Sequence, residues 1–433
     1  MSYRKLGDLV KFISNKNTDG NATILFGINI DKFFMPSVAN IIGVDLKKYK
    51  VVKKYQFACN RMHVGRDERL PISMSTFDYD FIVSPAYDVF EVISSNVLPE
   101  YLMLWFRRKE FDRQCWFYTD ADVRGGLHLD ALKSIEIKVP SIEEQRQIVA
   151  QYQSIANKIK VNEQICEKLE ATAQALYKHW FVDFEFPVGH CEERGTSHEA
   201  IPALFAEERS LYATKQKGYK SSGGTMVWNE ELGKEIPEGW ENTRLSSIVE
   251  IKDGTHDSPN PTSIGFPLVT STHLNLYDIS LEKTYNISLE DFIQTNKRSK
   301  VDKYDILFSM IGTVGLVNYV LYNEVNFAIK NVGLFKTSAK KELSEYILFF
   351  LKSDYMKLYI AANPNGSTQN YITLGFLRNI EILLPSKKTI LQFEEKVKKI
   401  VELIEIKVIE TQKLTQLQSL LLSRLAVGEE VGA

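Results

Sequence analysis

The 433-residue chain carries one stretch of sequence twice, 245 positions apart: LKSIEIKVP (132–140) returns as LRNIEILLP (377–385). In the same register Val89-Phe90 meets Leu334-Phe335 and Glu100-Tyr101 meets Glu345-Tyr346. Farther on, Ile155, Leu169 and Leu176 meet Ile400, Leu414 and Leu421. Toward the start the offset drifts to 239, where LGDLVKFISNK from Leu6 resembles LSSIVEIKDGT from Leu245, a difference of about six residues of loop. A duplication of this length means two copies of one folding unit. Each copy is a mixed segment of roughly 135 to 145 residues followed by a helical one of roughly 45.

In the mixed segments, short β-type runs are broken by turn residues: 24–30, 81–83, 89–93, 305–308 and 314–321. A helix is expected over 99–114 and its counterpart over 344–361, both with apolar residues at spacings of 3 and 4. The fold class is therefore α+β: two similar mixed domains, 1–140 and 236–385, each followed by a long helical segment, 141–185 and 386–433. Between the copies, 186–235 reads as a linker, with clustered acids (Glu192, Glu193, Glu199, Glu207, Glu208) and then Ser221-Ser222-Gly223-Gly224.

The first helical segment places Ile148, Tyr152, Ile155, Ile159, Asn162, Cys166, Leu169, Ala173, Leu176 and Trp180 at alternating spacings of 4 and 3. That is a heptad seam, which selects a long partner helix, with Asn162 as a register-fixing amide. The second segment offers Phe393, Val397, Ile400, Ile404, Leu414, Leu421 and Leu425, interrupted by Lys407, Thr411 and Gln418; the alternative is a seam rotated through Val401, Val408 and Leu417. Two such helices in one chain are expected to pair as an antiparallel coiled coil and to relate the copies by a pseudo-two-fold axis.

No apolar run approaches the roughly 18 residues of a membrane span, and the first 16 residues are unlike a signal peptide, so a cytoplasmic location is expected. Cys59, Cys115, Cys166 and Cys191 lie far apart with no CxxC pair, and read as free, inert thiols. The seven histidines form no HxxxH pair, so no metal site is expected. A P-loop and a GxGxxG are both absent. Asn363-Pro364-Asn365-Gly366 lacks the second proline and the aromatic of an amino-methyltransferase loop and reads as a turn. Asp130 with Glu136-Ile137-Lys138 could pass for a nuclease strand, but the repeat has Gly375, Glu381 and Leu383 there, which favours a plain strand. The net charge of −2 denies the chain a global basic footprint, so nucleic-acid binding would require local basic strips or help from partners.

In organisation the chain resembles the specificity subunit of Type I restriction and modification systems: a recognition domain, a helix, a second recognition domain and a second helix. The most specific local likeness is KVPSIEEQRQI (138–148), similar to the family's proline-initiated start of the first helix. DFEFP (183–187) and IPEGW (236–240) also match the family's habits. The second copy departs from the pattern, reading SKKTILQF after Pro385 without the EEQ element.

The resemblance implies a non-catalytic subunit that recognises an asymmetric bipartite DNA target, one half-site per domain, with the helices setting the gap. It implies two methyltransferase subunits and motor-nuclease restriction subunits as partners, on which S-adenosylmethionine, ATP and Mg2+ would be bound; none is expected on this chain. Bidentate donors and amides on loops match base edges. The candidates are Asn60, Arg61, His63, Arg66, Arg69 and Arg124 in the first copy. In the second they are Ser271, Thr272, His273, Lys297, Arg298, Lys300, Lys330, Asn331, Gln369 and Asn370. The rival expectation, motivated by the near-zero net charge, is a helical adaptor whose twin domains bind protein.

Overall fold

The structure, a computed structural model, describes residues 2–37, 43–119, 125–187, 218–363 and 371–427. It forms two compact units, Met1–Val161 with Thr411–Ala433, and Asn162–Glu410. The division runs through the middle of both long helices, so each unit combines one mixed domain with a segment of each helix.

The first unit is built on a four-stranded antiparallel sheet in the order Val10–Ile13, Asp88–Val92, Phe57–Cys59, Ile72–Met74. The central strand Phe57–Cys59 is apolar throughout, and Val89 and Phe90 of its neighbour are both buried, because both faces are covered there. Phe57, Cys59 and Phe90 point into one core with the helices Pro99–Phe106 and Lys109–Phe117. Ala58 and Val89 point into a smaller core with Phe26, Phe81 and Val83. That alternation is the period of two of a strand. Ring contacts fill the larger core: Phe57 stacks on Phe90 at 5.0 Å, and Phe106 meets Phe111 at 4.8 Å.

The second unit repeats the sheet in the same order: Ile251–Asp253, Val332–Phe335, Ile306–Ser309, Val317–Tyr319. Ile306 and Phe308 again face one core and Leu307 the other. The copies share individual hydrogen bonds as well as topology. Leu6 N donates to Ile135 O at 2.9 Å, and Leu245 N to Ile380 O at 2.8 Å. The Tyr101 hydroxyl donates to Lys138 O, and the Tyr346 hydroxyl to Leu383 O. Leu127 N reaches Arg61 O at 3.0 Å, and Ile372 N reaches Met310 O at 2.8 Å.

Two expected elements differ. The helix anticipated over 99–114 is two, Pro99–Phe106 and Lys109–Phe117, and its counterpart is Ser344–Leu351 followed by Asp354–Ala362. The breaks fall where Arg108 and Ser353 adopt extended backbone, and the Ser353 hydroxyl caps the new helix by accepting from Met356 N. A helix at Leu289–Ser299, capped by Ser288 on Asp291 N, was not anticipated at all. The linker expectation is also revised in part. Residues 188–217 lie outside the described ones, but Met226–Asn229 pairs with Lys234–Pro237 as a hairpin, and Phe186 stacks on Trp240 at 5.1 Å. Gly233 closes that hairpin at φ +58°, in the left-handed region.

The first long helix, Ile142–Tyr177, starts where Ser141 and Glu144 form a reciprocal cap. Glu144 N donates to the Ser141 hydroxyl, and Ser141 N and Oγ both donate to the Glu144 carboxylate at 2.8 Å. The fully buried Gln145 then ties the helix start to its own domain, accepting from Leu98 N at 2.9 Å and donating to Asn96 O at 2.8 Å. The second long helix, Lys387–Val427, lacks those residues and is capped by Ser386 on Thr389 N, with buried Ile390 standing where Gln145 stands in the first copy.

Along the first helix Asn162, Cys166 and Ala173 are buried, and Ile148, Tyr152, Ile155, Ile159, Leu169 and Leu176 are half-buried. Its last turn widens to π geometry at Lys178–Val182, which turns Tyr177, Trp180 and Phe181 all inward. Along the second helix Phe393, Val397, Val401, Ile404 and Val408 are buried; Ile400, Leu414, Leu421 and Leu425 are half-buried, and Leu417 is exposed. Within the second unit the two segments run in opposite directions: Tyr177 and Trp180 meet Phe393, while Glu170, one helix stretch earlier, lines a small pocket with Val401 and Ile404. In the first unit Leu425 packs with Ile148 and Val149 against the larger core. Burial pushes the thiols of Cys59, Cys115 and Cys166 up, that of Cys166 to about 11, which leaves them unreactive; Cys191 lies outside the described residues.

One buried ion pair holds the first unit's outer hairpin. Lys32, at φ +68° in the turn between Phe26–Ile28 and Phe34–Pro36, sends its ammonium inward to Asp112 Oδ1 at 2.7 Å and to Phe106 O. The same carboxylate oxygen accepts from Leu70 N at 3.1 Å. Removing one partner of a buried pair strands the other charge, so Asp112→Ala is expected to cost about 3–5 kcal/mol. Urea unfolding of the purified chain measures this. A loss under about 1 kcal/mol, the range of an exposed pair, would show that the clamp is not structural.

Candidate nucleic-acid interface

At the end of the strand Phe57–Cys59 the chain leaves the sheet through Asn60, whose N–H donates to Pro71 O at 2.9 Å while its Oδ1 accepts from Met62 N at 3.1 Å. The two sequence clusters of the first copy come together here. Gly65 N donates to Gly125 O at 2.9 Å, and a Cβ on Gly65 would stand 2.8 Å from that oxygen, so only glycine permits this approach. Arg61, Met62, Ala86, Asp88, Gly126, Leu127 and His128 line the open groove between the loops.

The candidate side chains are in different states. Arg61 is not free to reach out: its Nε pairs with Asp88 at 2.5 Å and its Nη1 donates to Leu127 O, so it cross-links sheet and loop. His63 is exposed at the start of the short helix Val64–Asp67. Arg66 is exposed and held by Asp67 at 2.6 Å, and Arg69 is exposed and held by Asp31 at 3.2 Å. Arg124 lies outside the described residues; its neighbours Gly125 and Gly126 form the facing loop.

In the second unit the convergence is tighter. Ser271 is buried, accepts from Met310 N and donates to Asn331 O, both at 3.2 Å, so three loops meet on one hydroxyl. Thr272 is exposed beside it. His273 serves as a cap: its Nδ1 accepts from Thr270 N at 3.0 Å, and burial pushes its imidazole below the ordinary value, which keeps it neutral. Lys330 donates to Ser258 Oγ, and Asn331, at φ +52°, holds His256 Nδ1 at 2.7 Å.

Lys297 and Arg298 were expected on a loop. They lie in the last turn of the helix Leu289–Ser299, where cations suit the dipole. Arg298 pairs with the buried Asp253, Lys297 donates to Gln294 at 2.9 Å, and Lys300 pairs with Asp302 at 3.0 Å. Gln369 and Asn370 lie outside the described residues.

Sequence reasoning missed Asp253, Thr255, His256 and Ser258. Asp253 ends a sheet strand and the others follow it in the run DGTHDS, where Gly254 lies so close to the neighbouring backbone that a Cβ would stand 2.4 Å from Ile329 O. The Asp-Gly pair closing a β-type run was the available signal.

Arg61, Arg66, Arg69, Arg298 and Lys300 each sit beside an aspartate, which reconciles a cationic site with the overall charge of −2. Among the described residues no cluster of His, Cys, Asp and Glu could hold a metal ion, and no helix is long and apolar enough to cross a membrane. The arrangement offers amides, hydroxyls and guanidinium groups held in place on loops, the equipment for binding a polar, anionic partner.

Comparison with known proteins agrees. A family model described as the Type I restriction modification DNA specificity domain matches residues 1–171 and 237–419. The chain is 28% identical to the Type I restriction enzyme HindI specificity subunit of Haemophilus influenzae, over 98% of both chains. It is 25% identical to the Type I restriction enzyme MjaIX specificity subunit of Methanocaldococcus jannaschii, over 77% of this chain and 69% of that one. Among solved structures, the S subunit of a Type I restriction-modification system from M. genitalium aligns over 98% of this chain and 95% of its own, at 11% identity and a TM-score of 0.44. The chain therefore belongs to the Type I restriction-modification DNA specificity family, as a subunit for DNA target recognition that is itself non-catalytic.

Proposed function

We propose that the two mixed domains read the two halves of one asymmetric, bipartite DNA target, and that the long helices, paired as an antiparallel coiled coil, set the gap between the halves. The observation that carries this reading is the twice-built sheet. Strand order and anchoring hydrogen bonds repeat, while the loops they hold up differ: Arg61 in the first copy is Met310 in the second, with the same backbone bond to the facing loop. A common scaffold carrying unlike loops fits two different half-sites. The first long helix alone has 36 residues, about 54 Å at about 1.5 Å per residue, more than one turn of duplex.

Methyltransferase subunits, two per complex, would dock on the helices and domains, and restriction subunits would join them. S-adenosylmethionine, ATP and Mg2+ would be bound by those partners, in the cytoplasm where the DNA lies. Within the candidate interface, Arg66, Arg69 and Lys297 are suited to phosphate, and Asn60, His63, Thr272, Lys330 and Asn331 to base edges.

Methylation mapping of DNA from cells that carry the system tests the reading. The expected result is a two-part motif with unlike halves and a fixed gap; a continuous palindrome, or methylation irrespective of sequence, would refute it. Inserting four residues into one long helix lengthens it by about 6 Å and is expected to change the tolerated gap. An unaltered gap would show that the helices do not set it.

Single substitutions separate contact from support. In the reconstituted methyltransferase complex, Arg66→Ala and Lys297→Ala should each lower the dependence of log affinity on log salt by about 0.9, with the preferred sequence unchanged. Arg61→Ala should instead lower stability by about 1–3 kcal/mol, because Asp88 loses its partner. Fluorescence anisotropy across a salt series and urea melts read the two effects.

A further inference from the structure

Two separate segments of the second recognition domain are tied to the two long helices by polar contacts largely shielded from water. Lys352, just beyond the helix Ser344–Leu351, places its ammonium 2.6 Å from Glu170 on the first long helix, with the side chains 11% and 22% exposed. Tyr277, from a loop far away in sequence, lies beside this pair, with the Lys352 ammonium 5.5 Å from its ring. Lys303, in the turn before the strand Ile306–Ser309, reaches Glu405 on the second long helix at 2.6 Å, with side chains 23% and 17% exposed. Gln174 Nε2 adds a bond to Phe349 O at 3.1 Å.

Stability alone gives no reason to keep such pairs. Apolar residues of similar volume often hold an interface as well, because the charges must first be stripped of water. What an ion pair adds is direction: an apolar contact lets two surfaces slide and turn, while a carboxylate and an ammonium at 2.6 Å separate when the surfaces shift by an ångström or two. One attachment would still permit rotation about it. A second attachment, to a different helix, leaves only rotation about the line joining the two, and the apolar core packed between domain and helices opposes that.

We propose that Lys352–Glu170 and Lys303–Glu405 are positioning pairs, which orient the second recognition domain on its helical segment so that one gap length alone is accepted between the half-sites. This rests on the two-half-site reading above. A gap altered by one base pair moves a half-site by about 3.4 Å and turns it by about 34° around the duplex axis. A domain able to pivot on its helices could follow that turn; one locked at two points rejects it.

The test uses the complete chain reconstituted with its methyltransferase subunits, and duplexes bearing the mapped target with the gap shortened or lengthened by one base pair. The variant combines Lys352→Met, Glu170→Gln, Lys303→Met and Glu405→Gln, which removes both pairs without stranding a charge. Expected is methyl transfer at the native gap within about twofold of wild type, and transfer at the altered gaps raised roughly tenfold relative to it. The milder double variant Lys303→Met with Glu405→Gln, expected to give a smaller shift in the same direction, serves if the fourfold variant does not fold. A steep wild-type gap profile left unaltered in a folded variant overturns the positioning role alone. A flat wild-type profile overturns the two-half-site reading and this inference with it.

Discussion

The architecture depends on how each domain closes on itself. In the first copy Ser2–Lys5 pairs with Glu136–Val139, and in the second Glu241–Arg244 pairs with Glu381–Leu384, so the first strand of each domain is bound to the last strand before a long helix. A tyrosine from the helical layer then bonds the carbonyl of that last strand, Lys138 or Leu383. The helix consequently leaves from a point the whole domain determines. Without that closure a recognition loop could be well formed and still stand at no defined place relative to the stalk.

The two copies meet the same requirement by different chemistry. In the first, Gln145 satisfies the backbone of Asn96 and Leu98, which fits the start of the helix to one conformation of that turn. In the second, Ile390 offers no hydrogen bond, and the polar ties lie farther along the helices, at Glu170 and Glu405. Buried amides and ion pairs are costly to leave unsatisfied. Their placement at these junctions marks where departure from one geometry is penalised most.

Much of the fold was legible because the repeat is carried by residues that make the scaffold. The repeat reappears as equivalent hydrogen bonds, at an offset of 245 on both sides for the Tyr101 and Tyr346 hydroxyls, and the heptad positions of the first helix are all buried or half-buried. What escaped was local. The breaks at Arg108 and Ser353 interrupt helices whose apolar spacing runs straight on, and the helix Leu289–Ser299 is a polar, amphipathic turn-former with few apolar residues to announce it.

The candidate site was legible as a neighbourhood and not as a set of roles. Residue type alone put Arg61, Arg66 and Arg69 in one group, yet Asp88, 27 positions from Arg61, converts the first into a cross-link, while Asp67 and Asp31 leave the other two at the surface. His273 likewise has the composition of a reader and the bonding of a cap. A sequence reports which donors are present; which are spent inside the fold depends on partners brought up by topology, as Glu170 and Lys352, 182 positions apart, show most plainly. For a protein whose work is discrimination, that distinction matters more than the inventory. A donor already satisfied within the fold contributes shape, and one held at the surface by a single weak neighbour can exchange that neighbour for a phosphate or a base edge at little cost.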